Sequence, residues 1–271
     1  MNYYSKDQTN KILNENFEFI KFNHQNHLIT ITLNRPQKRN AIHPQTINEL
    51  AFLLQYIYYE KKIRVIVLES SGSVFCSGLD LDAIYGKAEA HNSSIPNSKK
   101  KILLGQILTE VHKPIISKVE GNVYAGGYIY LACSTYVIAS DHLEFSLPEV
   151  KRGIFPMQVM GLLMRIMMPR NIIDWCIRGY SLSAKKAKKW GLISKAVPHK
   201  KIDEELEILY KNIIENSPQA ISLGLEAFEK LIDQEKNQKY LAQMLNKVLE
   251  SDDAKEGINA FKEKRKPNWK I

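Results

Sequence analysis

Three short runs rich in β-branched residues govern what this chain can fold into: Arg64–Glu69 (RVIVLE), Pro114–Val119 (PIISKV) and Tyr136–Ala139 (YVIA). Unbroken apolar runs of this length, bounded by turn residues, predict strands buried on both faces of a sheet. The first run follows a stretch from Pro44 in which Ile47, Leu50, Leu54 and Ile57 form one apolar stripe at helical spacing. A helix followed by a buried strand predicts β–α–β units in an α/β protein. Upstream, Phe17–Phe22 and His27–Leu33 alternate as two strands, joined by the polar link Asn23–Asn26 and ended by Pro36. Gly126–Ala132 reads as a helix. Beyond Pro156 the pattern turns mostly helical, with apolar residues at helical spacing in Leu206–Ile214, Ala220–Ile232, Leu241–Leu249 and Ala254–Phe261. No internal repeat is visible. The expected division is a polar leader over 1–15, a β/α core over 16–200 and a helical part over 201–271. The polar stretch 86–101 reads as a mobile loop leading into a helix.

Composition removes several classes of function. Of 271 residues, 44% are hydrophobic and 9% aromatic, enough apolar surface to oppose a disordered chain. No stretch approaches the roughly 20 apolar residues that a membrane helix needs. The N-terminus lacks the apolar region of a secretory signal. Cys76, Cys133 and Cys176 have neither zinc spacing nor a disulfide framework, and no metal site is expected. The expected location is therefore the reducing cytoplasm. The net charge of +9 leaves nucleic acid, an anionic membrane surface or a phosphorylated small molecule open.

Three segments carry possible chemistry. Phe75–Leu81 (FCSGLDL) closely follows a buried strand and precedes a helical start. It is either a simple turn or a junction whose free N–H groups bind an anion. Val119–Ile129 (VEGNVYAGGYI) repeats that design, but its glycine spacing is not that of a dinucleotide fingerprint. Its Gly126-Gly127 pair either admits a ligand or packs helix against sheet. Leu147–Pro156 (LPEVKRGIFP) sets Glu149 among apolar residues and prolines. That glutamate is either a base with a raised pKa or an exposed charge at a helix start.

Together these segments resemble the crotonase superfamily of enoyl-CoA hydratases and isomerases. The resemblance runs from about residue 17 to 268. It adds Asn34-Arg35-Pro36, Arg39-Asn40-Ala41, Ala184…Ala187…Trp190-Gly191-Leu192 and Phe261–Pro267 to the three segments. It implies a spiral of repeated ββα units with C-terminal helices that build a homo-trimer or hexamer. It implies an acyl-CoA substrate, with coenzyme A present as part of that substrate and no permanently bound cofactor. It places two oxyanion donors at the N–H groups of Leu79 and Gly126. It places CoA contacts near Lys38, Arg39 and Ala41, along Ser77, Gly78 and Asp80, and at Gly127. Lys262 and Lys264 resemble a tail that reaches a neighbouring subunit's CoA phosphates.

The departures from the pattern bear on the reaction. Hydratases of this family use two glutamates, and the first position is Ile129 here, while the second is Glu149. Met157-Gln158-Val159-Met160 replaces a glycine-rich stretch. The resemblance thus favours a single-base Δ3,Δ2-enoyl-CoA isomerase over a hydratase or another lyase or hydrolase. A catalytically weak, RNA-binding or scaffold relative is the other class considered, through the lysine-dense Ser183–Lys201, whose bland reading is a solvated helix face.

Of the remaining residues, Tyr124, Tyr128 and Tyr130 are expected to pack in the core, Asp80 and Asp82 to sit at a helix start, and Cys76 to act as a small buried hydrophobe. His43 and His112 are expected to be structural or exposed, and Glu144 has no role. Residues 181–201 carry +7 and 262–270 carry +4, leaving −2 for the rest. The basic excess is therefore local, and nucleic acid is not the expected partner.

Overall fold

The computed structural model describes residues 1–84, 86–87, 90–232 and 235–268. The chain begins with an antiparallel hairpin, β1 (Ile20–Gln25) and β2 (Leu28–Leu33), in register from Ile20↔Leu33 to Gln25↔Leu28. The link is shorter than the expected Asn23–Asn26. Asn23, His24 and Gln25 belong to β1, and Asn26 turns the chain at φ 54°. β1 is the sheet's edge strand, so polar side chains there remain exposed while the backbone pairs. β1 also starts later than expected, because the Glu49 carboxylate takes the N–H groups of Glu18, Phe19 and Ile20.

From Val65 the chain repeats one manoeuvre three times. A strand in a six-stranded sheet leads to a short strand in a four-stranded sheet, then to a helical turn. The first round is β3 (Val65–Ser70), β4 (Val74–Cys76) and the helix Leu81–Ile84. The second is β5 (Ile115–Val119), β6 (Asn122–Tyr124) and the helical run Ala125–Ala132. The third is β7 (Tyr136–Ser140), β8 (Glu144–Ser146) and the turn Glu149–Arg152. β3, β5 and β7 lie side by side in parallel, as do β4, β6 and β8. This is the expected spiral of ββα units. β9 (Ser181–Ser183) closes the small sheet and β10 (Lys195–Val197) the large one.

The alternation within β3 explains why it reads as a continuous apolar run. Val65 and Val67 face the helix Ile202–Ile214, while Ile66 and Leu68 face the main core with the helix Pro44–Tyr59. After β10 the described elements are a 3-10 turn, His199–Lys201, and four helices: Ile202–Ile214, Pro218–Ile232, Glu235–Leu249 and Asp252–Lys262.

The polar leader lies against the core. Tyr4, Thr9 and Ile12 are buried, and the Tyr4 hydroxyl donates to Asn48 Oδ1 at 2.6 Å. The stretch 86–101 is held as well. Ser94 Oγ donates to Glu15, Gln45 Nε2 donates to Ser93, and the Asn92 N–H donates to Glu18. Ala88 and Glu89 of that stretch, and Lys270 of the basic tail, lie outside the described residues.

Candidate active site

The carboxyl ends of β4, β6 and β8 lie next to one another, and each hands over to one candidate residue. Leu79 follows β4, Gly126 follows β6 and Glu149 follows β8. Parallel pairing of these strands therefore sets three positions far apart in sequence just beyond the ends of neighbouring strands. Ligand sites of open parallel sheets gather at the same strand ends.

Leu79 forms a parallel bridge with Ile42, using the Ile42 N–H to Gly78 O (2.8 Å) and the Asp80 N–H to Ile42 O (3.0 Å). A parallel bridge of this register engages the neighbours of Leu79, so the Leu79 N–H points away from Ile42. Gly78 makes the turn at φ +97°, and a Cβ there would fall 2.7 Å from Ala125 Cβ. Ala125 itself is left-handed at φ 50°, a strained conformation for a residue with a side chain. The Leu79 nitrogen lies 3.3 Å from where a Cβ on Gly126 would stand. Two backbone amides thus sit side by side, and no hydrogen bond among the described residues takes either N–H.

Glu149 opens a four-residue 3-10 turn. Its Oε2 is closed off from solvent without a hydrogen-bond partner. Burial pushes its carboxyl up to about 7, opposed by its own backbone N–H and by the charge of Arg152. Tyr128 and Cys176 are its electrostatic neighbours.

The remaining sequence-selected residues divide into groups. Lys38, Arg39 and Ala41 form a loop beside the first donor segment, joined to it by the Ser77 N–H to Arg39 O bond of 3.0 Å. Asn40 pins this loop: its Oδ1 accepts the Arg35 N–H, and its Nδ2 donates to Ser71 O and Val74 O, each at 2.8 Å. Asp80 is buried in an ion pair with Arg35 at 2.5 Å, and its Oδ1 accepts from the N–H groups of Asp82 and Ala83. Burial opposes its charge, but Arg35 and the Ala83 N–H outweigh burial and hold the carboxyl below its ordinary value. Its side chain is therefore a helix-start group, as expected.

Gly127 packs against Cys76, with no room for a side chain. The Cys76 thiol is buried and pushed up to about 12, which makes it inert. Tyr128 and Tyr130 are core residues, each edge-on to a neighbouring ring, Trp175 and Phe75 respectively. His43 caps the helix Pro44–Tyr59 and stacks on Phe19. Lys262 and Lys264 sit at the end of the C-terminal helix, which packs on the Glu149–Arg152 turn.

A cavity of about 430 Å³ opens beside Leu79. Leu79, Ile42, Ile129 and Leu162 form an apolar part of its wall, whereas Gly126 and Glu149 lie outside that wall. Ile129 occupies the wall with only 7% exposure. The remainder includes Gln158, Arg165, Glu229 and His112. Arg165 and Glu229 form an ion pair at 2.5 Å. His112, expected to be merely structural or exposed, lines the cavity, and burial lowers its pKa. Its backbone is also left-handed, at φ 49°, a feature invisible in sequence. No group of three or more metal-binding side chains occurs among the described residues.

The family model described as enoyl-CoA hydratase/isomerase matches residues 23–271. A carnitinyl-CoA dehydratase of Salmonella arizonae is 30% identical over 93% of this chain and 98% of its own. A mevalonyl-coenzyme A hydratase of Aspergillus fumigatus is 29% identical over 90% of this chain and 92% of its own. Among solved structures, a carnitinyl-CoA hydratase from Mycobacterium avium superposes with a TM-score of 0.82 at 27% identity, covering 94% of this chain and 99% of the other.

Proposed function

Since this chain belongs to the enoyl-CoA hydratase/isomerase family, we propose that it moves a double bond along an acyl-CoA thioester, from the 3,4 to the 2,3 position. The observation that carries this reading is the pairing of Ile129 with Glu149. An isoleucine can neither hold water nor move a proton at the position where the family's hydratases carry their first glutamate. Glu149 remains as a single base, with a pKa of about 7 that makes both of its protonation states accessible near neutral pH.

The chemistry follows from proton abstraction beside a carbonyl. Glu149 takes a proton from C2 of a 3-enoyl-CoA. The electrons move onto the thioester oxygen, which accepts hydrogen bonds from the Leu79 and Gly126 N–H groups. Glu149 then returns the proton at C4, and the double bond rests between C2 and C3. Each oxyanion donor is worth about 2.7–4 kcal/mol in the transition state. Lys38, Arg39, Ala41, Ser77 and Asp80 would hold the CoA portion, with Gly78 and Gly127 shaping the backbone around the thioester. Lys262 and Lys264 would meet CoA phosphates of a neighbouring subunit.

The same reading makes 16–200 the catalytic part and 201–271 the assembling part of a homo-trimer or hexamer working in the cytoplasm. The exposed Ile173 and Ile177 on the helix Pro169–Arg178, and Leu223 and Leu231 on the helix Pro218–Ile232, supply apolar surface for assembly. Coenzyme A enters only with the substrate.

Several relatives bear hydratase names, so the test must separate the two reactions. A panel of 2-enoyl- and 3-enoyl-CoA substrates with product identification does so. Glu149→Gln should slow conversion of the 3-enoyl substrate by about 10²–10⁴-fold. Undiminished activity of that variant would remove Glu149 as the base. Water addition to the 2-enoyl substrate at an ordinary enzymatic rate would overturn the isomerase assignment.

A further inference from the structure

Resting on Glu149 as the base, we propose that Phe261 is a positioning residue: its ring seats the Arg152 guanidinium beside Glu149, so that the C-terminal helix sets the charge felt by the base. Glu149 and Arg152 open and close the same 3-10 turn. Side chains three residues apart in such a turn leave on the same side, and each of these two charges acts on the other. The Arg152 Cζ lies 3.9 Å from the centroid of the Phe261 ring. This is well inside the range of a cation–π contact. No hydrogen bond to the Arg152 guanidinium is found among the described residues, so the ring is its visible seat.

The helix that carries Phe261 is fixed in place by two glycines. A Cβ on Gly257 would stand 2.4 Å from the Arg152 carbonyl oxygen, and one on Gly153 would stand 2.2 Å from that of Asp253. Backbone therefore rests on backbone at both crossings, and any side chain would lift the helix. Phe261 lies one turn beyond Gly257, on the same face. It is 54% exposed, so packing alone does not account for it.

Several other charged or titratable groups surround the turn. Tyr128 approaches from the helix Tyr128–Ala132 and Cys176 from the helix Pro169–Arg178. Lys151 shares the turn, and Lys247 and Asp253 face it across the groove that Val150 and Gly153 line. Burial opposes the charge of Glu149, while Arg152 favours it. A displaced guanidinium should therefore leave the carboxyl harder to ionise.

The experiment is kcat/KM against pH for a 3-enoyl-CoA in the full-length protein and in Arg152→Gln, Phe261→Leu, Phe261→Tyr and Glu149→Gln. Arg152→Gln should raise the acid limb by about one pH unit. Phe261→Leu should raise it by less, and Phe261→Tyr, which keeps the ring, should leave it in place. An unmoved acid limb in Phe261→Leu, or a change confined to KM, would overturn the role of Phe261. An unmoved limb in Arg152→Gln would overturn the role of both. Full activity of Glu149→Gln would instead remove the base, and this proposal with it.

Discussion

At Glu149, the proposed base, two demands conflict, because a base must be ionised while its surroundings favour the neutral acid. Its folded pKa of about 7 lies above the ordinary 4.5. Below 4.5 the carboxyl is protonated whether folded or unfolded, and the native state bears no penalty. Between 4.5 and 7 the unfolded chain ionises freely while the buried group resists, so stability falls across this window and the loss is complete above about 7. Glu149→Gln cannot ionise, so its melting temperature should exceed the wild type's at pH 9 and match it at pH 4. Scanning calorimetry at the two pH values checks this; equal melting at both would contradict the burial. That variant would be more stable and less active, the usual exchange at a functional site. The donor pair gives a second prediction. A methyl at Gly126 would press on the Leu79 nitrogen at 3.3 Å, tight but not prohibitive. Gly126→Ala should therefore lower kcat by about ten-fold or more with little change in urea midpoint. Gly78→Ala, at φ +97° and 2.7 Å from Ala125 Cβ, should lower the midpoint itself. The candidate residues were legible because their motifs resemble a known family. The seating of Arg152 on Phe261 was not, because no local pattern links residues so far apart.

Among the elements, the helix Pro44–Tyr59 does more than cover the sheet. Its Glu49 reaches the start of β1 and accepts three consecutive backbone N–H groups at 2.9–3.0 Å. A carboxylate so placed ends one segment of chain and begins another. Removing it leaves buried donors without acceptors, at about 1–3 kcal/mol for each desolvated group. Glu49→Ala should therefore lower the unfolding free energy by about 2 kcal/mol or more, read from a urea titration with unchanged slope. An unchanged midpoint would mean that water replaces the carboxylate. The longer strands were legible for a related reason: β3, β5 and β7 bury most of both faces and are written mainly in apolar residues. β4, β6, β8, β9 and β10 are three residues each, too short for any period to register. Their pairing is set by the spiral, so the sheet that organises the candidate site is the part the sequence showed least.

For the molecule as a whole, the apolar residues left outside are as informative as those within. Ile173 and Ile177 stand one turn apart on one helix, and Leu223 and Leu231 two turns apart on another. If these faces assemble the proposed trimer, sedimentation should return three or six times the 31.2 kDa chain mass. The double substitution Ile177→Asp and Leu231→Asp should return a single chain mass; an unchanged assembly would place the interface elsewhere. The lysine-dense region is largely a solvated face, as Lys195 pairs with Glu205 and Lys201 with Glu204. Lys186 instead lies over the rings of Tyr180 and Trp190. The joint between the C-terminal helix and the Glu149–Arg152 turn also has a meaning in time. A ribosome delivers Glu149 early and Phe261 more than a hundred residues later, when the sheets that hold Glu149 have had time to form. On the proposed roles of Glu149 and Phe261, a nascent chain would carry its base before that base is tuned, and full turnover would begin only once the last helix had settled.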